Sequence, residues 1–486
     1  VIGNLAAVVF VVGLIASIMV HEWGHFVTAR RFGMRVDRFF LGFGPTLWST
    51  RVGETEYGVK LLPLGGFVRI KGMAETDERL PSVPQAMAQR IGAGEDPATA
   101  LAVLLDERGA PSRLTERIIS RFQRTLQAAG EPAQTDGSLA VATDPDPARV
   151  ALQLIASEVP PTGRVGDLHH RLLKGDEGRF FHDRPAWQRA IVLASGSALH
   201  FLQAFALIFL GWLLVGPSVA VPVIDDFADA ETTDGQVLES AAEAAGLQIG
   251  DRIVAIDGQL TEEFAQVRNY IRDNPGRAVE VIIERPGAQD TQTIPVVPTT
   301  YTDPESGDVV GLLGFFPKVE NQRMDADEAL YATFVGPGSF TQMFTGTIGA
   351  LGNVFGIEGV GNLFAQLTGT QERGVDGGIS LIGATNAANQ GVDAFGLLFL
   401  FSLLASVNVF VGIFNALPLP PLDGGHLAVL GVEQAVNAKR RRAGEPDDFT
   451  VDPGTVVSIA VPVIVFVLVI SLGLLWLDIT NPLMLE

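Results

Sequence analysis

The most constraining stretch is an apolar run that ends in ionisable residues. From about Leu5 to Val20 no residue carries a charge. The run then meets His21-Glu22-Trp23-Gly24-His25 and a basic cluster, Arg30, Arg31, Arg35 and Arg38. A span of about 20 apolar residues suits a bilayer. In lipid it must be a helix, because only a helix satisfies its own backbone. On a helix, His21 and His25 stand one turn apart on the same side. Their imidazoles can hold one metal ion, and Glu22 beside them can take a proton from water. The plain alternative is two histidines stacked on Trp23 at the wet end of a membrane helix. An ionisable trio inside an apolar span is costly and marks function, so a third ligand is expected elsewhere.

Three more apolar stretches follow, about Ala190 to Val215, Phe395 to Leu417 and Val456 to Leu477; the first covers about Asn4 to Ala29. A polytopic α-helical membrane protein with about four transmembrane helices is expected, with room in 486 residues for two or three domains. The first run is not a typical signal peptide, since its positive charges follow it and no small-residue cleavage site appears. Both Arg30–Arg38 and Lys439-Arg440-Arg441-Arg442 fall on one side in a four-span reading, which places that side in the cytoplasm and both termini outside. The net charge of −21 argues against a nucleic-acid partner, which needs basic patches. With no cysteine, disulfides, thiolate zinc sites and cysteine nucleophiles are excluded.

The expected layout is 1–29 first span, 30–73 membrane-associated β-hairpin, 74–189 cytoplasmic insertion, 190–215 second span, 216–320 extracytoplasmic α+β domain, 321–394 amphipathic and glycine-rich segment, 395–426 third span, 427–455 cytoplasmic loop, and 456–486 fourth span and tail. Thr55 to Ile70 reads as two short strands around a bend at Pro63-Leu64-Gly65-Gly66. Such an edge can pair with an extended peptide. Within the insertion, Pro97 to Glu107 and Ser112 to Ala128 read as helices and Glu131 to Pro147 as linker. Its His169, His170 and His182 lack acidic partners at ligand spacing and read as solvated. From Ser240 to Gly258 a short helix, a glycine turn, an alternating strand and an Asp-Gly turn follow one another. With Gly246-Leu247, Gly250-Asp251-Arg252-Ile253 and Asp257-Gly258, this run resembles a PDZ domain, a fold that takes a peptide or protein terminus by strand addition. Tyr331 to Phe344 and Ile348 to Leu367 read as amphipathic helices, lying on the outer membrane surface or packed on the bundle.

The third ligand is found at the end of the third span, in Asn415-Ala416-Leu417-Pro418-Leu419-Pro420-Pro421-Leu422-Asp423-Gly424-Gly425-His426. Proline unwinds the helix and frees backbone groups that need a polar cavity. Asp423 then lies on the same side as His21 and His25. Two histidines and one aspartate leave a fourth position for water, the arrangement of a catalytic zinc site. Glu22 is the expected catalytic base.

These motifs together resemble the site-2 protease family of intramembrane zinc metalloproteases. The similarity is to its PDZ-containing bacterial branch, the regulator-of-sigma-E-protease type, with Gly378-Ile379-Ser380 to Gly383 most like actinobacterial members. It covers His21 to Phe26, the segment from Phe32 to Gly72, the PDZ-like region and Asn415 to His426, but not 74–183. The resemblance implies a Zn2+ cofactor and single-span membrane substrates such as anti-sigma factors or signal-peptide remnants. It also implies a bacterial cytoplasmic-membrane location and a size-filtering PDZ domain. It places Gly65, Gly66 and Phe67 of the hairpin, and Asn415, Pro418 and Pro420 of the proline loop, beside the substrate. One departure stands out: His200 occupies the position where members often carry asparagine. A non-catalytic PDZ-containing membrane sensor or scaffold and a zinc-binding transporter are the competing readings. Glu22 weighs against both, since neither needs a base beside two ligand histidines.

Overall fold

A computed structural model describes residues 2–73, 80–130, 146–160, 166–231, 237–303, 307–373 and 378–482. The chain divides into two units. One comprises 1–207, 337–390 and 402–486, the other 208–336 and 391–401.

The first unit opens with α1 (Ile2–Arg31), followed by β1 (Val36–Val52) and β2 (Thr55–Ile70). Both strands are longer than the sequence pattern suggests, and the tight turn lies at Gly53-Glu54 rather than at Pro63–Gly66. The register explains the prolines and glycines. Phe40 pairs with both Gly58 and Phe67, and Leu41 with both Val59 and Gly66. The segment 60–65 therefore carries the chain from one side of β1 to the other, and Gly65 has φ +141° there.

The described residues between 80 and 174 form five helices: α2 (Val83–Gly92), α3 (Pro97–Glu107), α4 (Ser112–Gly130), α5 (Pro147–Glu158) and α6 (Gly166–Lys174). Ser82, Asp96 and Asp146 cap three of them, each just ahead of a proline in the first turn, where a missing N–H costs nothing. Met87, Leu101, Leu105, Ile118, Phe122, Ile155 and Leu172 close a separate core. The low apolar density of this stretch concealed a packed bundle, because a few large side chains suffice when helices share one centre. The expected linker at 131–145 lies outside the described residues. Arg35 Nη1 donates to Asp176 (2.6 Å), and Arg179 donates through two nitrogens to Glu54 (2.9 and 2.7 Å), tying the bundle to the strands.

Among the described residues, four helices are long and apolar enough to cross a membrane: Leu5–Arg31 of α1, α7 (Ala186–Leu214), and the later Leu397–Ala416 and Pro453–Thr480. On the last, Val457, Val461, Val465, Leu468 and Leu472 are all exposed. A helix apolar all round needs lipid or a core, and with these faces uncovered by protein the chain is a membrane protein.

The second unit contains β3 (Ser218–Phe227), β4 (Ala230–Glu231), β5 (Val237–Leu238), α8 (Ala241–Ala244), β6 (Arg252–Ile256), β7 (Gln259–Leu260), α9 (Phe264–Arg272), β8 (Val279–Glu284), β9 (Gln292–Val296), β10 (Thr299–Thr302), β11 (Val309–Leu312) and β12 (Phe315–Asn321). The main sheet is antiparallel in the order β12-β3-β6-β8-β9, with β7 on β6. Its alternating apolar residues bury Ile253, Val281 and Ile283 against Val267 and Ile271 of α9. This is a β-rich α+β domain.

After α10 (Ala326–Phe334) come α11 (Phe340–Phe355) and α12 (Ile357–Leu367), bent by 61° at Gly356. The helix expected from Tyr331 to Phe344 is broken at Gly336-Pro337-Gly338, where two glycines have positive φ. α13 (Leu381–Phe395), α14 (Leu397–Ala416), α15 (Asp423–Arg442) and α16 (Pro453–Thr480) complete the chain. α11 and α12 pack on α14 and α16: Phe355 meets Phe414 and Phe466, and Leu363 joins Ile470 and Leu477. The basic cluster 439–442 is the last turn of α15, where cations complement the helix dipole.

Candidate metal centre

Three elements of the first unit converge on one point. α1 presents His21 and His25 on one face, with ring centroids 4.8 Å apart and nearly perpendicular. α14 stops before Pro418, and the loop 417–422 folds beneath the start of α15. A Cβ at Gly424 would sit 2.2 Å from Ala416 O, and one at Gly425 2.3 Å from Pro420 N. Only glycine lets the loop close so tightly, and this closure aims Asp423 back at the histidines. His21, His25 and Asp423 are the cluster of metal-ligand type found among the described residues.

Its dimensions fit a small tetrahedral cation. Asp423 Oδ2 lies 3.3 Å from His21 Nε2 and 3.2 Å from His25 Nε2, and the two Nε2 atoms are 3.2 Å apart. A zinc ion with ligands at about 2.05 Å in tetrahedral array separates neighbouring donor atoms by about 3.3 Å. Hydrogen bonding supports the same assignment. His25 Nδ1 donates to the Val192 carbonyl at 2.7 Å, which leaves a lone pair on Nε2 facing Asp423 Oδ2. With the imidazole neutral, that contact is repulsive unless a cation lies between the atoms. Asp423 Oδ2 is buried and accepts no hydrogen bond, an arrangement costly for a carboxylate unless it ligates. The carbonyl of Val192 plays the orienting part that metal-bound imidazoles need.

The roof over the two rings is Gly196 on α7. A Cβ there would lie 2.4 Å from His21 Cε1 and 2.5 Å from His25 Nε2. The family resemblance set Gly196 in the stretch Ser195 to His200, which departs from the usual family pattern, but gave it no role, and nothing pointed to the Val192 carbonyl. Glycines recur throughout the chain, and a main-chain oxygen has no signature.

Glu22 faces β2. A Cβ on Gly66 would be 3.0 Å from Glu22 Cγ and 3.3 Å from Met19 Sδ, so the strand passes directly over the carboxylate. Gly65 packs on Phe43, and Phe67 stacks between Phe40 and Phe43 at 5.6 and 6.3 Å. Gly66 thus reaches the site, whereas Gly65 and Phe67 pack within the sheet on Phe43 and Phe40. Asn415 sits on the last turn of α14, and among the described residues no hydrogen bond joins it to the triad. Pro418 is exposed; Pro420 is buried against Gly425. His169, His170 and His182 do not join this cluster. His169 meets the Val159 carbonyl, His170 the Glu177 carbonyl at 2.9 Å and His182 the Gly72 carbonyl at 2.9 Å.

A family model described as peptidase family M50 matches residues 9–446. The chain belongs to peptidase family M50. Similar M50 relatives span nearly its whole length. Zinc metalloprotease RasP of Geobacillus kaustophilus is 28% identical, covering 88% of this chain and 89% of its own. Regulator of sigma-E protease RseP of Salmonella typhimurium is 30% identical over 89% and 90%. Zinc metalloprotease Rip1 of Mycobacterium tuberculosis is 26% identical over 90% and 88%.

Proposed function

We propose that His21, His25 and Asp423 hold one zinc ion and that Glu22 is the general base of an intramembrane peptidase. As an M50 member, the chain is a membrane-embedded zinc metalloprotease acting in regulated proteolysis. The observation that carries the residue assignment is the triangle of donor atoms 3.2–3.3 Å on a side. Zinc bound there supplies Lewis-acid chemistry, polarising a carbonyl and acidifying water.

The chain's own groups do the rest. Glu22 takes the proton from the attacking water and returns it to the leaving nitrogen. A transmembrane substrate hides its peptide bonds in its own helix, so it must unwind before attack. The strand Gly65–Phe67 above Glu22 offers a backbone edge for the unwound segment. Asn415 and Pro418 line the opposite approach, where Pro420 packs against Gly425, and Asn415 is available to hydrogen-bond the developing oxyanion. Substrates are single-span membrane proteins of the anti-sigma-factor kind and signal-peptide remnants. The basic segments 30–38 and 439–442 orient the site toward the cytoplasm of a bacterial inner membrane, and the domain at 216–320 is extracytoplasmic.

The domain at 216–320 is read as a PDZ domain. β12 pairs with β3 on one side only among the described residues. Beside it, Phe264, Val267, Arg268, Ile271, Leu313 and Phe315 line a groove of about 240 Å³. An added peptide strand, ending in a free terminus, suits that edge.

The test is cleavage of a single-span substrate by purified protein in detergent, with zinc content assayed alongside. Wild type should cleave; Glu22→Gln should bind equal zinc and not cleave. Cleavage by Glu22→Gln would overturn the assignment of the base.

A further inference from the structure

A buried polar knot lies one helical turn from the metal centre, and the proposed chemistry makes no use of it. Ser17 on α1, His200 on α7 and Asn408 on α14 are 4, 2 and 2% exposed. Asn408 Nδ2 donates to Leu404 O at 2.8 Å within its own helix, which fixes the amide and leaves Oδ1 as acceptor. Ser17 Oγ donates to that oxygen at 2.5 Å and His200 Nδ1 donates to it at 2.9 Å. Ser17 Oγ also lies 3.3 Å from His200 Nδ1. Three spans therefore meet on one oxygen atom.

The placement of each partner is telling. Ser17 is four residues before His21. His200 is four residues after Gly196, which roofs both imidazoles, and its ring centroid is 4.8 Å from that of His21. Asn408 is seven residues, two turns, before Asn415, where the proline loop leading to Asp423 begins. Each bond thus fixes the axial position of one helix that contributes to the cradle. A helix rises 1.5 Å per residue, whereas metal–ligand distances tolerate about 0.2 Å. A slip of a fraction of one residue between α1 and α14 would pull Asp423 off the histidines.

We propose that Ser17, His200 and Asn408 act as a register lock, with His200 a positioning residue that holds the three spans at the axial offset the metal cradle needs. This rests on the reading of His21, His25 and Asp423 as zinc ligands. It assigns His200 a task for which only its Nδ1–H is required.

The test uses the full chain in detergent, with zinc affinity read by chelator competition and helix register read separately in metal-free protein. The chain has no cysteine, so Val12→Cys with Phe410→Cys provides one clean spin-label pair between exposed positions of α1 and α14. His200→Leu should weaken zinc binding about 10- to 100-fold and shift or broaden the spin–spin distance. His200→Asn, whose amide N–H reaches the same oxygen, should restore both. Ser17→Ala, which removes one donor with little change of volume, should weaken zinc in the same direction and serves if His200→Leu does not fold. Wild-type distances and affinity in His200→Leu or Ser17→Ala would overturn the lock, as would failure of His200→Asn to rescue. If wild type binds no zinc, the ligand reading falls, and the spin-label distances still decide the lock.

Discussion

Adding one methyl group at Gly196 should disable the metal centre while leaving the helices in place. The new Cβ would lie 2.4 Å from His21 Cε1, 2.5 Å from His25 Nε2 and 2.7 Å from His21 Nδ1. Ordinary contact begins near 3.4 Å, so one or both rings must retreat by about 1 Å, five times the tolerance of a metal–ligand bond of about 0.2 Å. His25 cannot retreat freely, because its Nδ1–H is held by the Val192 carbonyl. Loss of an orienting partner alone costs about 10- to 100-fold in metal affinity; displacing two ligands should cost at least about 100-fold. The assay is zinc competition against a chromophoric chelator, with thermal melting of the same samples. Gly431→Ala is the control. It lies on α15 with nothing within 4 Å of its added Cβ, so it should keep zinc and gain about 0.5–1 kcal/mol. Wild-type zinc affinity in Gly196→Ala would refute the placement of the rings.

Two other outcomes follow from buried and hydrogen-bonded carboxylates. Arg373 Nη2 donates to Asp478 Oδ1 at 2.5 Å, Ser380 N–H donates to its Oδ2 at 2.6 Å, and the two charged side chains are 2 and 1% exposed. Asp478→Ala leaves a buried cation and should cost about 3–5 kcal/mol, read as a lowered melting temperature; an unchanged melt would contradict it. In the second unit, the Glu280 N–H and the Tyr270 hydroxyl donate to Asp257 and hold its carboxyl below the usual range. A depressed carboxylate adds stability above its unfolded pKa of about 3.9 and loses it as pH falls through the folded value. Asp257→Asn should therefore speed amide exchange in β8 at neutral pH, and the difference from wild type should vanish in acid. A difference that persists in acid would contradict the electrostatic cause.

The spans and the convergence of His21, His25 and Asp423 were legible because each rests on a strong local signal: uncharged runs, an i,i+4 histidine pair and a proline-broken helix ending in aspartate. The helical bundle at 80–174 was only partly legible. Two of its helices showed in the sequence, but its core is shared by five, and no single stretch carries enough apolar residues to announce it. The double pairing of β1 was hidden for another reason, since register across Pro63–Gly66 depends on which edges remain open. The part Gly196 plays became visible only as a close approach of α7 to α1. Ser17 and Asn408 were readable in principle, as polar residues inside apolar spans, yet only the structure shows that they share one partner atom with His200.

The central claim, that these three side chains hold the zinc, is tested most directly by X-ray absorption at the zinc edge of the purified full chain. Wild type should contain one zinc with two imidazole nitrogens and carboxylate oxygen at about 2.0–2.2 Å, and Asp423→Ala should lose the carboxylate contribution and most of its affinity. An identical zinc environment in wild type and Asp423→Ala, or one without imidazole, would contradict the account.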